Sequence, residues 1–326
     1  MTGDLSNRFV RSLIFHFDVK AAPLSMPFLY HMVGPRSGSM AVEESQYGYI
    51  PQEYVAIIFL ALFGISTILH IGQATYYRMW WLFSTACLCG LGELVGWSGR
   101  LWSSFSPSLN DPFMMQITCT IISPTPLIAV NFILLSWIVS RLGPCYARLT
   151  PIWYTIVFLS CDIVALVVQG AGGGIASTAS DSSGAKLGSN IMLAGIVFQF
   201  AAIIIYCCLA AEFLSRYRKN LPLKSTPSGR GVVDSKVQTM IGALAFSTLV
   251  LFIRSIYRII ELASGWNGRV FRTEVYFNVL DGGMVVLAIF TINVAHPGRL
   301  LGSQRPVRPE NYSSKMSSVE SSKGIS

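Results

Sequence analysis

Arg254, Arg258 and Glu261 stand inside one apolar run, LVLFIRSIYRIIELASGW, and Glu274 and Asp281 enter the next after a short loop. An ionisable side chain at bilayer depth costs on the order of several kcal/mol unless it faces a bundle interior, a wet cavity or another charge. Such a residue therefore binds something charged or holds a partner helix. The same spacing recurs: Glu93 and Arg100, Asp162 and Gln169, Arg254 and Glu261, and Glu274 and Asp281 are each seven residues apart. Seven residues is nearly two helical turns, so each pair lies on one helix face, and Arg258 completes a stripe with its neighbours. Gln199 lies in a further apolar run. Five carboxylates (93, 162, 261, 274, 281) against three guanidinium groups (100, 254, 258) leave a formal charge of −2. A buried surplus of carboxylates either protonates or waits for a cation. Glu93, Asp162 and Asp281 would hold an ammonium, while Arg254 and Arg258 neutralise neighbours or take a phosphate or carboxylate.

The elements that carry these residues are apolar stretches. Of 326 residues, 52% are hydrophobic and 12% charged, about half the charge of a soluble domain. Seven stretches are long enough to span a hydrocarbon core: 53–76, 80–101, 113–140, 151–172, 190–214, 237–263 and 274–295. The expected fold is all-α, a polytopic bundle of seven transmembrane helices. Residues 1–46 read as an extracellular N-terminal tail, 47–302 as the transmembrane domain, and 303–326 as a disordered, Ser-rich cytosolic tail. Fourteen Lys and Arg fall on one side of this bundle and eight on the other, which puts the C-terminus in the cytosol and the N-terminus outside. Arg216, Arg218, Lys219 and Lys224 are then set against anionic lipid. Arg8 and Arg11 before SLIFHF make a weak signal-peptide pattern, interrupted by Asp18 and Lys20.

Counting the helical rise from the cytosolic ends puts Glu93, Arg254 and Asp281 at similar heights, roughly 20 Å up a core of about 30 Å. Arg100, Gln116, Gln169, Arg258, Glu261 and Glu274 fall nearer the outer surface, with Asp162 and Gln199 around the middle. Two arrangements fit: a polar pocket opening toward the outer leaflet, or a network of ion pairs and hydrogen bonds that fixes helix packing. Gly92 and Gly96 form a G-x-x-x-G spacing that allows close helix approach. Pro124 and Pro126 free backbone carbonyls and permit a kink in the third stretch.

Other chemistries find little footing. The net charge of +8 is distributed as a topology signal, so no nucleic-acid partner is expected. The seven cysteines (87, 89, 119, 145, 161, 207 and 208) make no disulfide framework or metal spacing. The glycosylation triplet at Asn311 falls in the cytosolic tail. No G-x-x-x-x-G-K-[ST] occurs, so active movement needs a gradient or a partner. No lysine in a span can carry a retinal Schiff base, and His70 and His296 have no ligand partners at helical spacing. No enzyme activity, cofactor or metal is expected. The third and seventh stretches lack the usual signatures of G-protein-coupled receptors, although an unconventional lipid or stress sensor without transport survives as the alternative.

The strings GELVGWSGRLW, DIVALVVQGAGGG, AGIVFQF, FIRSIYRIIELASGWNG, the Glu274 to Asp281 spacing and the closing HPG at 296–298 resemble the fungal RTA-like (resistance to aminocholesterol) family of lipid-translocating exporters. The resemblance runs from about Tyr47 to Gly302. It implies seven helices with an outside N-terminus, and translocation of sphingoid long-chain bases or similar amphiphiles, with resistance to membrane-active compounds. The partners implied are membrane lipids and an amphiphile with a charged head group. The motif positions are Glu93, Gly96, Arg100, Asp162, Gln169, Gln199, Arg254, Arg258, Glu261, Glu274 and Asp281. Trp97 stands where the family often has tyrosine, and Phe132 and Trp137 where it often has tyrosine and arginine, which bears on substrate more than on fold. The plasma membrane is the expected location, with a vacuolar or other endomembrane as the alternative.

Overall fold

A backbone crossing hydrocarbon must satisfy its own N–H and C=O groups, and long apolar runs do so as helices. A computed structural model describes residues 45–302 apart from 180, 225–229 and 266–267. Residues 1–44 of the expected N-terminal tail, with the signal-like run, and the whole expected C-terminal tail, with Asn311, lie outside the described residues. Among the described residues every regular element is helical: α1 (Glu53–Tyr76), α2 (Leu88–Phe105), α3 (Asn110–Ile122), α4 (Pro124–Leu142), α5 (Pro151–Thr178), α6 (Ser182–Lys219), α7 (Ser235–Ser264), α8 (Glu274–Phe277), α9 (Met284–Val294) and α10 (Pro297–Leu300).

Six segments are long and apolar enough to cross a membrane: α1, α3 with α4, α5, α6, α7, and the run from α8 to α10. The second expected stretch is not among them. It enters through a 3-10 turn (Trp80–Leu82) and a π turn (Phe83–Cys87) before α2, and Glu93, Arg100 and four glycines hold down its hydropathy. The central element is the third span, whose most apolar window is 78% buried against 22–39% for the other five. Leu127, Val130, Leu134, Leu135, Ile138 and Val139 bury α4 on every side. The outer helices instead leave Ile57, Ile68, Val167 and Leu249 exposed, as lipid-facing surfaces require.

Two expected boundaries are corrected. The Gly/Ser-rich link between the fourth and fifth stretches is mostly helix, because its small residues let α5 and α6 touch backbone to backbone. A Cβ on Gly172 would lie 2.6 Å from the Met192 nitrogen, and one on Gly188 2.5 Å from the Ala176 nitrogen. Asp181 starts α6 by accepting the Gly184 N–H at 3.2 Å. At its far end α6 takes in Arg216, Arg218 and Lys219, cations that suit a helix C-terminus, and Asn220 closes it in the left-handed region at φ 54°.

The third span is broken at Ser123. Pro124 offers no N–H to the carbonyl of Thr120, four residues back, and Pro126 none to that of Ile122. The seventh span is likewise interrupted, by a π turn at Asn278–Gly283. Both irregularities lie where the charged residues converge.

Candidate charge-recognition site

Asp281 is the hub. Arg258 grips it side-on, Nε donating to Oδ1 at 2.7 Å and Nη2 to Oδ2 at 2.6 Å, a forked geometry open to arginine but not to lysine. The same guanidinium donates from Nη1 to Glu261 Oε2 at 2.7 Å and from Nη2 to Thr120 Oγ1 at 2.7 Å. Arg254 approaches from one turn earlier on α7, its Nε 2.9 Å from Asp281 Oδ1. That contact is an ion pair without hydrogen-bond alignment, since this Nε has no hydrogen-bond partner among the described residues. Its Nη2 donates to the Thr120 carbonyl at 2.5 Å. The carbonyl that Pro124 leaves unbonded within the helix is thus satisfied by an arginine from α7.

Sequence spacing explains one wall: positions 254, 258 and 261 share a face of α7. The opposing wall depends on the π turn, in which Asp281 is completely buried. Gly282 beside it lets the turn lie against aromatic rings, because a Cβ there would meet Trp97 Cζ2 at 2.5 Å. Trp97 stacks on Phe59 at 4.0 Å between centroids. Gly96 performs a similar service on α2, where a Cβ would come within 2.7 Å of the Thr120 methyl.

Arg100 forms a second layer. Its Nη2 donates to Glu274 Oε1 at 3.0 Å and to Tyr49 Oη at 3.2 Å, and its Nη1 reaches Gln116 Oε1 at 3.5 Å. Glu274 also accepts the Gln52 N–H at 2.9 Å, tying the segment before α1 to the start of α8. Burial pushes the Tyr49 phenol above its ordinary pKa, with Arg100 pulling the other way. The Phe277 ring joins the two layers. The Arg100 Cζ lies 4.6 Å from its centroid and that of Arg258 5.2 Å, so one ring serves two guanidinium groups.

The other predicted residues form a separate group. Gln199 Nε2 donates to Thr125 Oγ1 at 3.1 Å and to Asp162 Oδ1 at 3.3 Å, and its Oε1 accepts from Gln169 Nε2 at 3.1 Å. Of the ten candidate residues, Glu93, Arg100, Arg254, Arg258, Glu261, Glu274 and Asp281 gather on α2, α7 and the seventh span, while Asp162, Gln169 and Gln199 join α5 to α6. The broken third span lies between them, offering Thr120 to one group and Thr125 to the other.

The formal surplus can now be placed. Arg100 takes Glu274, Arg254 and Arg258 share Asp281, and Arg258 also takes Glu261, leaving Glu93 and Asp162 without an arginine ion pair. Asp162 has one oxygen bonded to an amide. Glu93 is completely buried and neither carboxylate oxygen has a hydrogen-bond partner among the described residues. The expected outward vestibule is closed here: Arg100, Arg258 and Asp281 are also completely buried, and the cavity beside Glu261 measures about 10 Å³, room for one water at most.

Several members were missed in the sequence. Thr120 was accessible through the rule that proline orphans the carbonyl four residues before it. Phe277 and Tyr257, whose hydroxyl donates to Glu261 Oε1 at 2.7 Å, look like ordinary aromatics in apolar runs. Tyr49 gave no signal at all.

Residues 86–304 match the family model described as RTA1 like protein. The "Sphingoid long-chain base transporter RSB1" of Saccharomyces cerevisiae is 28% identical over 295 residues, covering 81% of this chain and 76% of that protein. The "Lipid-translocating exporter-like protein RTA1" of Leptosphaeria maculans is 26% identical, covering 78% of this chain and 51% of that one. "Protoporphyrin uptake protein 1" of Saccharomyces cerevisiae is 23% identical over 76% of this chain and 90% of its own length. No solved structure matches.

Proposed function

This chain belongs to the RTA1-like family, and from that premise we propose that it is a translocator of membrane lipids or other amphiphiles, with sphingoid long-chain bases as the leading substrate class. Six helices long and apolar enough to cross a bilayer make it a multi-pass membrane protein. In this reading α2, entered through its 3-10 and π turns, is a seventh span shielded by its neighbours. The N-terminus lies outside and the C-terminus in the cytosol, following the charge count. The plasma membrane is the working location, and resistance to membrane-active compounds follows from export.

The observation that carries the reading is Glu93, a buried carboxylate left unbonded beside a network in which the arginines are already engaged. A residue kept only for packing would be expected to complete its hydrogen bonds, because a buried unsatisfied polar group costs about 1–3 kcal/mol. An arriving ammonium group offers Glu93 both charge and donors. Asp162, with one free oxygen, is a second such position. The arginine, Asp281 and Glu261 network serves as the rigid wall against which the head group is held, and the substrate's tail stays among apolar helices or in lipid.

The test is net flux of labelled lipid in liposomes that contain the purified chain alone, using sphingoid bases, phospholipids and porphyrins. Wild type is expected to move sphingoid bases, and Glu93→Gln to lose that flux while staying folded. Absence of flux together with ligand-dependent recruitment of a partner protein would replace transport by sensing.

A further inference from the structure

Near the middle of both helices, Phe200 on α6 and Phe252 on α7 meet at 4.9 Å between ring centroids. From there toward the end that carries the basic link, a groove of about 430 Å³ separates the two helices. Its walls run from Tyr206 to Leu214 on α6 and from Ile241 to Phe252 on α7, and Leu135 and Ile138 of the central α4 form its floor. At the helical rise the walls are about 12 Å and about 16 Å long, close to one leaflet of a hydrocarbon core of about 30 Å. The volume falls within the range of about 300–1,000 Å³ in which small molecules bind. No member of the charged network lines it.

Both ends of the groove are shut and its side is open. The two phenylalanine rings close the inner end. At the other end Tyr217 lies one turn beyond Leu214 and Val237 one turn before Ile241, and both are buried. Tyr217 Oη donates to the Gly231 carbonyl at 2.6 Å, and the Gly231 N–H donates to the Leu142 carbonyl at 3.0 Å, so the link before α7 is fastened to α6 and α4 at this end. The Arg230 Cζ lies 4.7 Å from the centroid of the Tyr217 ring and adds a further tie. Along the side, by contrast, Ala211 on α6 and Ala245 and Leu249 on α7 are exposed within membrane-spanning helices, where the surroundings are hydrocarbon.

The lining carries no charge, and its two hydroxyls are engaged. Tyr206 Oη donates to the Asn131 carbonyl at 3.2 Å, and Thr248 Oγ1 accepts from Asn131 Nδ2 at 3.3 Å, so both are turned toward α4. A head group finds no partner here. An empty groove of this size forfeits dispersion contacts along its walls, and a hydrocarbon chain entering sideways from the leaflet restores them. With the inner end sealed by two rings, the methyl end of such a chain lies at Phe252 and its head group stays toward the bilayer surface. We propose that the groove binds one alkyl chain of an amphiphile in the leaflet on the side of the α6–α7 link, which the proposed orientation makes the cytosolic one. The site selects for the chain and is indifferent to the head group. The inference rests on the lipid-translocation reading for its purpose: the groove holds a single-chain amphiphile by its tail and leaves head-group recognition to Glu93 and Asp162.

The experiment is photolabelling of the full chain in liposomes with three probes that carry a diazirine in the hydrocarbon: a sphingoid base, a fatty acid of the same chain length, and a sterol. Adducts are mapped by peptide mass spectrometry. Both chain probes are expected to label residues 206–214 and 241–252 saturably, and each to be displaced by an excess of the other without its diazirine. Labelling at the lipid-facing Ile68 on α1 and Val167 on α5 should instead rise in proportion to the probe. Ala211→Phe combined with Ala245→Phe fills the groove from its open side, so the double variant should lose the saturable labelling, keep that at Ile68 and melt with wild type. Unsaturable labelling of the groove, equal saturable labelling by the sterol, a fatty acid that fails to displace the sphingoid base, or undiminished labelling in the filled variant overturns the proposal. The displacement arm uses wild type alone, and decides the matter whether or not the filled variant folds. The two readings fail separately: saturable labelling without flux defeats transport and leaves this site, whereas flux without saturable labelling defeats this site alone.

Discussion

Replacing Asp281 by asparagine separates a framework role from a recognition role within one cluster. The substitution keeps size and shape and removes one charge. In the wild type Asp281 accepts two aligned bonds from Arg258 at 2.7 and 2.6 Å and lies 2.9 Å from Arg254 Nε. With asparagine, Arg258 keeps Glu261 as its bonded carboxylate, Arg254 is left with the Thr120 carbonyl and no paired carboxylate, and the amide cannot accept a side-on fork at both of its heavy atoms. Removing one partner of a buried pair costs about 3–5 kcal/mol, because the remaining charge stays buried. At roughly 2–4 °C per kcal/mol for a chain of this order of size, the melting temperature should fall by on the order of 10 °C. Glu93→Gln, by contrast, breaks no aligned hydrogen bond and no ion pair, and removes a carboxylate that acts on Arg254 and Arg258 only through space, so it should melt within a few degrees of wild type. Thermal unfolding in one detergent, followed by helical circular dichroism, measures both. An Asp281→Asn protein that melts with wild type, or a Glu93→Gln protein that falls as far, would refute the division of roles.

Three further outcomes follow from the geometry. Gly96→Leu should destabilise by about 1–3 kcal/mol through overpacking against Thr120, read as a lower melting temperature, whereas Gly170→Leu, where a Cβ meets nothing within 4 Å, should not. Arg100→Lys retains the charge but loses the fork that reaches Glu274, Tyr49 and Gln116, at a cost of about 1–3 kcal/mol; equal stability in thermal unfolding would show the fork to be dispensable. Pro124→Ala restores an N–H to compete for the Thr120 carbonyl, and should lower flux in liposomes without lowering the melting temperature. Unchanged flux would mean that the break is not used.

The first span was legible to the residue, because a long apolar run between polar turns has one solution in hydrocarbon. The stripe on α7 was equally legible, since helical spacing alone places 254, 258 and 261 together. What sequence could not convey is which stripe faces which. Asp162 and Gln169 share the spacing of Arg254 and Glu261, yet they join Gln199 on α6 because α4 stands between. The surplus charge was countable from the start, but its assignment to Glu93 and Asp162 depends on distances between helices far apart in the chain. The Gly/Ser link was misjudged as a loop for a related reason: glycine weakens a helix in isolation and favours it where another backbone must come close.

Phe277 ties Arg100 to Arg258, and through them Glu274, Asp281, Glu261 and Thr120. Disturbing either guanidinium therefore disturbs the ring that the other uses. In hydrogen-exchange terms α2, the start of the seventh span and the C-terminal half of α7 form one cooperative opening unit, since none can release its charges alone. The α5 and α6 pair closes its own network of Gln169, Gln199, Asp162 and Thr125 and shares no ion pair with that unit, which makes it a separate unit.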